Sequence, residues 1–502
     1  MIWNLTNHFS SLIILLFFFP FLIKYLGASN YGFFIFLGTI NGIANIANFG
    51  FGEATLRYVA LHFSKNEIKK IKDVLTTSLI IYCILGLIVG VSLYFCAPFF
   101  TQIIKEKTIT NSESTLLIRI SIISFLIRFS FGVFPMIPQA FQRYDISSKI
   151  SMSESLLRII LFIGTIYNGL GLVGLVFSEL IIALYYVFIN YIVSAYLFKK
   201  IYFIGTFSIE ILKQISGYSL YAALTQIIGL LWQYSDRLLI GYFIGSAAIA
   251  YFSIPQQIIF KVLSFVAAGS SVLFPKFSVD NINEQIKILY KKFTTISLFL
   301  TIILFSTIAY VISDFCYIWI SPEFAHQSKN IAIILAVSCM VRGAFPIYEN
   351  LFKGIGKPKY NLYVIIGSSS IIVILDLILI PMLGLKGAGI AYLISPIIGV
   401  LTIYLIYKKI FKESIIEPII LYVLPLIIGY FGLIFFFYIS TFFTFKPSWI
   451  LIICKSIIFA TFIFFSLWFY IKLIVKSKYH FILSNYFSDF QFTKLKNILI
   501  KK

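Results

Sequence analysis

Apolar runs longer than about 18 residues recur from one end of this chain to the other, each long enough to cross roughly 30 Å of hydrocarbon. Short polar connections separate them, and none is long enough for a soluble domain. In lipid every backbone polar group needs an internal partner, so such a chain is either a helical bundle or a closed barrel. A barrel requires short segments of alternating polarity, and the sequence has none. With 60% hydrophobic and 12% charged residues the chain is excluded from the soluble classes. The expectation is an all-α polytopic membrane protein.

The runs fall near 3–24, 31–56, 74–98, 115–139, 151–167 and 170–198. A second group follows near 217–243, 250–275, 293–320, 329–352, 361–381 and 385–407, and a last pair near 418–439 and 449–475. Fourteen transmembrane helices are therefore expected. Two six-helix bundles cover 1–200 and 201–412, two additional helices 413–476, and a basic tail 477–502. The two bundles read as a repeat. Leu26-Gly27-Ala28 near the start is echoed by Ile244-Gly245-Ser246, and Gly171-Leu172-Val173-Gly174 by Gly384-Leu385-Lys386-Gly387. Arg128 is echoed by Arg342 and Phe134-Pro135 by Phe345-Pro346. All these pairs keep a displacement of about 210–220 residues, as a duplicated unit requires.

The formal net charge of +21 is distributed as topology distributes it, which argues against nucleic acid as a partner. Most Lys and Arg lie on one set of alternate connections and in the tail, whereas the opposite set holds Lys24, Lys105, Lys107, Lys329, Lys386 and Lys446. Both termini are thus expected in the cytoplasm, with the amphipathic tail Ser477–Lys502 on the membrane surface. The first run has no basic segment before it and reads as a true span rather than a cleaved signal. Five scattered cysteines and four dispersed histidines give no disulfide framework and no metal spacing.

Asp236-Arg237-Leu238-Leu239-Ile240-Gly241-Tyr242-Phe243-Ile244-Gly245, the early Leu26-Gly27 and Tyr31-Gly32, and Asn48-Phe49-Gly50-Phe51-Gly52 resemble the Wzx-type polysaccharide-unit flippases. These are the O-antigen and capsule-repeat transporters of the multidrug/oligosaccharidyl-lipid/polysaccharide exporter (MOP) superfamily. Gly354-Ile355-Gly356-Lys357-Pro358 and Gly384 to Gly389 resemble the same family's later turns, so the likeness spans the chain. It implies two six-helix bundles around a central cavity. It also implies movement of undecaprenyl-pyrophosphate-linked oligosaccharide from the cytoplasmic to the outer leaflet of a bacterial inner membrane, with polysaccharide polymerase and assembly proteins as partners of a monomer.

Charge at membrane depth is costly and by default faces a cavity or a partner. Arginine suits a pyrophosphate because its fork offers two parallel hydrogen bonds. Arg128 and Arg342, mid-run and at equivalent places in the repeat, are the first candidates for substrate binding; the alternative is that they bind backbone carbonyls or a carboxylate. Lys261 is mid-run with no acidic neighbour within a helical turn, and Arg57 is a fourth cavity cation. Arg57, Arg119, Arg158, Arg237 and Lys472 also lie near span ends, where snorkelling accounts for them, and Lys455 is read the same way. Glu53 and Arg57 share a helical face as an ion pair. Asp236 either neutralises Arg237 or Arg128 or binds a coupling cation. Glu179, Glu349 and Asp376 are further candidates to carry a proton or sodium ion. Pro135 and Pro346 are paired kinks.

Gly354-Ile355-Gly356-Lys357 fails as a phosphate loop, with Leu351 where the first glycine belongs and Pro358 where Ser or Thr belongs. No cofactor and no enzymatic chemistry are expected, and transport draws on a proton or sodium gradient, the membrane potential or the substrate gradient. A lipid II flippase and a cation-coupled multidrug antiporter are the alternatives within the superfamily. A membrane glycan polymerase or ligase is the rival from another class, and it calls for a long outward loop that this chain lacks.

Overall fold

Single glycines and prolines, rather than polar loops, decide where many of these apolar helices turn. The computed structural model of the protein describes residues 2–104, 109–197, 205–270, 273–278, 284–357, 359–443 and 446–475. The basic tail expected over 477–502 lies outside them. All regular structure among the described residues is helical, and the chain divides into two compact units.

Unit 1 comprises Met1–Ile254 and Ser369–Ala391. Its helices are α1 (Ile2–Ala44), α2 (Phe51–Ser64), α3 (Ile68–Ile103), α4 (Asn111–Ser130), α5 (Met136–Ala140), α6 (Tyr144–Tyr167), α7 (Gly171–Leu197), α8 (Ile209–Phe243) and the first part of α9 (Ser246–Ser270). The connection expected between the first two apolar runs is a kink: Gly27 takes φ 76 and ψ 164 inside α1. The real break comes later, inside the second run. Phe49 (φ 43) and Gly50 (φ 73) are both left-handed, and α2 leaves at 53° to the segment before it. A left-handed phenylalanine is unfavourable by itself, so the break needs support. Asn48 supplies it, accepting from Gly52 N at 2.9 Å and from the Tyr82 hydroxyl at 2.6 Å, while Gly50 N donates to Gln226 at 3.3 Å.

Lipid tails give helix association little hydrophobic drive, so close packing and polar contacts must supply it. A Cβ on Gly32 would overlap the Ser246 carbonyl, and one on Gly42 would overlap the Tyr234 ring. The repeat makes α8 the first helix of the second bundle, yet it packs on α1, α2 and α3. The segment leading into α8 is laced to α3: Gly205 N donates to Thr76 at 2.8 Å and Thr206 N to Asp73 at 2.7 Å.

Unit 2 comprises Pro255–Ser368 and Tyr392–Lys502. It holds the rest of α9, α10 (Phe274–Phe277), α11 (Glu284–Trp319), α12 (Pro322–Arg342), α13 (Phe345–Gly354) and the start of α14 (Lys359–Leu383). It continues with the end of α15 (Leu385–Ile394), α16 (Ile397–Leu405), α17 (Ile416–Pro418), α18 (Leu424–Ser440) and α19 (Trp449–Val475). Wide π-helical turns occupy Ile406–Phe411 and Ile419–Val423.

The duplication is visible in local backbone. Gly27 and Gly245 are both left-handed, as are Gly171 and Gly384 (φ 50 and 61), which stand at the starts of α7 and α15. Gln142 and Gly356 take φ 57 and 70 at the turns into α6 and α14. Both α4 and α12 end a few residues before the paired prolines, and short helices, α5 and α13, follow. Ten helices among the described residues are long and apolar enough to cross a membrane, or up to 11 when the bent pair Phe18–Asn48 and Phe51–Ser64 is taken as one span. The expected fourteen also counts α4, which carries Glu113, Arg119 and Arg128, and α8, which carries Glu210, Lys213, Asp236 and Arg237; neither is in that set.

Candidate functional site

Arg128 and Arg342 occupy the same kind of place, the last turn of a helix that breaks soon after. There the final carbonyls lack intrahelical partners and the helix dipole is negative, so a guanidinium is stabilised. Their partners differ. In unit 1 Arg128 Nη2 donates to Glu154 Oε1 of α6 at 2.8 Å and lies 4.8 Å from the Tyr186 ring centroid. The same Glu154 oxygen accepts from Arg158 at 3.1 Å, and Arg158 grips both oxygens of Glu179 on α7 at 2.7 and 3.2 Å. This chain of two arginines and two glutamates ties α4, α6 and α7 together and carries no net charge.

In unit 2 Arg342 is buried and donates to Ser395 Oγ at 2.7 Å, with the Phe345 and Tyr392 rings each 5.9 Å away. Ser395 sits at the α15–α16 break, and the Tyr392 hydroxyl accepts from Gln256 at 2.8 Å, one residue after Pro255 of α9. Irregular backbone of α12, α15 and α9 thus meets around one guanidinium. Each arginine thus links the end of its helix to a neighbouring element.

Lys261, half-buried in α9, has no ion-pair partner among the described residues. Arg57 and Glu53 are both exposed on α2, and the pair expected between them is not among the ion pairs of the described residues. Arg237 stands 5.7 Å from the Tyr234 ring centroid. Asp236 is completely buried and accepts from the Arg237 backbone N at 2.7 Å. Asp376, on the part of α14 that belongs to unit 1, is completely buried too. Neither of its carboxylate oxygens has a hydrogen-bond partner among the described residues, and it interacts electrostatically with Asp236. Glu349 is half-buried on α13, one turn before Lys353.

Two expectations are corrected. Arg158 does not snorkel; two glutamates on neighbouring helices hold it. Lys455 does not snorkel either, since its Nζ lies 2.7 Å from Asp314 Oδ2 of α11. The partner acids Glu154 and Asp314 are not singled out by the sequence, and Lys291 of α11, one of the cations assigned there to the cytoplasmic-side connections, lies within 3 Å of both Glu413 and Glu417. The only sequence signal was spacing: Glu154 and Arg158, and Glu413 and Glu417, are each one helical turn apart. No group of three or more His, Cys, Asp or Glu among the described residues is placed to hold a metal.

Residues 1–279, more than half of the chain, match the polysaccharide biosynthesis protein family. The chain belongs to that family. A candidate O-antigen transporter of Shigella flexneri is 22% identical over 424 residues, covering 81% of this chain and 97% of the relative. An uncharacterized membrane protein of Methanocaldococcus jannaschii is 23% identical over 408 residues, covering 77% and 78%. Among solved structures, the inward closed conformation of the lipid II flippase MurJ superposes with TM-score 0.69 at 16% identity, covering 94% of this chain and 99% of the flippase. An inward-facing MATE family multidrug transporter of the MOP superfamily gives 0.60 at 18% identity, covering 80% and 92%. The polysaccharide biosynthesis protein therefore shares the fold of MOP-superfamily transporters and is a multi-pass membrane protein.

Proposed function

We propose that this polysaccharide biosynthesis protein is a flippase that moves undecaprenyl-pyrophosphate-linked oligosaccharide from the cytoplasmic to the outer leaflet of a bacterial inner membrane by alternating access. The observation that carries the reading is Lys261, an ammonium half-buried in a membrane-spanning helix without a counter-ion among the described residues. A cation in that position is stabilised by a ligand that brings its own negative charge, and a pyrophosphate does. The family match and the likeness to a candidate O-antigen transporter over nearly its whole length support the same substrate class. A cationic drug finds the wrong sign at Lys261, which disfavours the antiporter alternative.

Asp236 and Asp376 are the groups through which an ion gradient enters this reading. Two buried carboxylates that feel each other, one with neither oxygen hydrogen-bonded among the described residues, are relieved by a proton or a sodium ion. Lipid is the solvent and the glycan assembly proteins the expected partners, with both termini in the cytoplasm. The test is a proteoliposome assay that follows a fluorescent undecaprenyl-pyrophosphate disaccharide by its protection from an external quencher. Exchange by the wild type that Lys261→Gln abolishes supports the reading. Exchange that Lys261→Gln leaves intact removes the lysine from the site. Efflux of a cationic dye in place of glycan exchange transfers the protein to the drug antiporters.

A further inference from the structure

We propose that an ion pair at each end of α11 fastens the additional C-terminal helices to it, so that α11, α18 and α19 form one rigid body. Lys291 and Asp314 lie about 35 Å apart along the helix, at a rise of 1.5 Å per residue. That is close to the roughly 30 Å of a bilayer's hydrocarbon core. One fastening therefore stands near each face of the membrane.

At the first end, Lys291 Nζ donates to Glu417 Oε2 at 2.9 Å and lies 2.7 Å from Glu413 Oε2, the latter without the alignment of a hydrogen bond. The Lys291 side chain is 8% exposed, that of Glu417 10% and that of Glu413 23%. Lys287 adds a second cation, 2.7 Å from Glu284 and 3.8 Å from Glu413. The Tyr407 ring lies 5.6 Å from the Lys291 ammonium, and the Tyr407 and Tyr422 hydroxyls are hydrogen-bonded at 2.8 Å. Those tyrosines belong to the two π-helical turns, and Glu413 and Glu417 to the segment between them. The entry to the additional helices is thus closed over one lysine of α11.

At the second end, Lys455 of α19 lies 2.7 Å from Asp314 and 5.9 Å from the Tyr310 ring. Between the two ends the surfaces interlock. Tyr310 packs on Phe436, Phe437 and Phe459, and a Cβ on Gly429 would press on Ile302 at 2.6 Å. Apolar packing alone lets helices slide or separate in lipid, because lipid tails replace the lost contacts. Parting a partly buried ion pair leaves two charges without their counter-ions, a cost that apolar contacts do not carry. Two such pairs, one at each face, fix both the register and the tilt of the additional helices. The fastening holds whatever the substrate; only its use in a transport cycle, carrying α18 and α19 along with α11, rests on the flippase reading.

The experiment uses the full-length, cysteine-free protein in nanodiscs, with spin labels at Leu300→Cys on α11 and Ile457→Cys on α19, both at exposed positions. The expected result is a single narrow distance in the wild-type background that is lost in Lys291→Met and in Lys455→Met. Lys291→Met leaves Glu417 without a cation and Glu413 with Lys287 alone, 3.8 Å away, so adding Glu413→Gln and Glu417→Gln removes the bare charges but leaves the distance broad, because no pair remains to fasten the helices. Exchanging the partners at the other end, Asp314→Lys with Lys455→Asp, rebuilds a pair there and restores the narrow distance. If Lys291→Met fails to yield folded protein, the triple variant still folds on this reasoning. A narrow distance that survives both single substitutions overturns the proposal, and so does a triple variant whose distance is as narrow as the wild type's.

Discussion

Replacing Arg158 by methionine tests whether the charge chain of unit 1 holds α6 to its neighbours. The substitution keeps the aliphatic stem and removes the guanidinium. It leaves Glu179 without a cation and Glu154 with Arg128 alone. Breaking a fully buried pair costs about 3–5 kcal/mol, and an exposed pair contributes about 0–1. The side chains here are 33% exposed at Arg158, 26% at Glu179 and 13% at Glu154, between those limits. The expected loss is about 2 kcal/mol, a factor of about 30 in the folding equilibrium. The sign of the double substitution carries more information than that magnitude. Arg158→Met with Glu179→Gln removes one charge of each sign and leaves the Arg128–Glu154 pair intact. It must therefore be less damaging than Arg158→Met alone. The assay is the fraction of monodisperse protein that survives heating in detergent, read by fluorescence-detected size exclusion for the wild type, both singles and the double. Arg158→Met melting with the wild type would refute the reasoning. So would a double variant that loses the sum of the two singles, because independent losses mean no coupling.

Lys261→Gln is expected to lower glycan exchange at least about tenfold with its heat survival unchanged, since the lysine has no ion-pair partner among the described residues to lose; the proteoliposome assay and the melt together check this. Asp376→Asn is expected to remove the dependence of exchange on a proton or sodium gradient while leaving heat survival equal or higher, because a neutral amide is less costly to bury than an unsatisfied carboxylate. Flux measured with and without each gradient decides it, and retained ion dependence would exclude the residue. Gly32→Leu is expected to abolish the monodisperse peak, since any side chain there overlaps the Ser246 carbonyl, whereas Gly38→Leu, where a Cβ meets nothing, is expected to retain it.

Much of the architecture could be read from residues because it rests on local causes. Length and apolarity define the spans, and the glycine echoes Gly27 with Gly245 and Gly171 with Gly384 mark backbone that only glycine adopts cheaply. Pro135 and Pro346 likewise mark the breaks that follow α4 and α12. The break at Phe49–Gly50 was hidden because its support is distant: Tyr82 and Gln226 come from α3 and α8. Charges behaved the same way. That Arg128 and Arg158 are costly at membrane depth follows from the sequence, but the glutamate they share is 26 residues from Arg128 on another helix. Asp314 and Lys455 are 141 residues apart, a separation at which no periodicity speaks. A span-end position was therefore read as snorkelling where the fold supplies a counter-ion.

Repetition and function part company at the arginines. A residue in the last turn of a helix that breaks soon after, as Arg128 and Arg342 both are, sits where the helix dipole favours a cation. In unit 1 that guanidinium is neutralised by Glu154, and in unit 2 it bonds Ser395 at a second break. A phosphate arriving at Arg128 must displace a carboxylate already in place, and one arriving at Arg342 must reach a buried group. Lys261 has no counterpart among the repeated charges and imposes neither cost. If the substrate carries a pyrophosphate, binding and release turn on a charge that no acidic group among the described residues compensates. Exchange should then follow the chemistry at position 261, surviving Lys261→Arg and failing in Lys261→Gln, while Arg128→Lys alters heat survival before it alters transport.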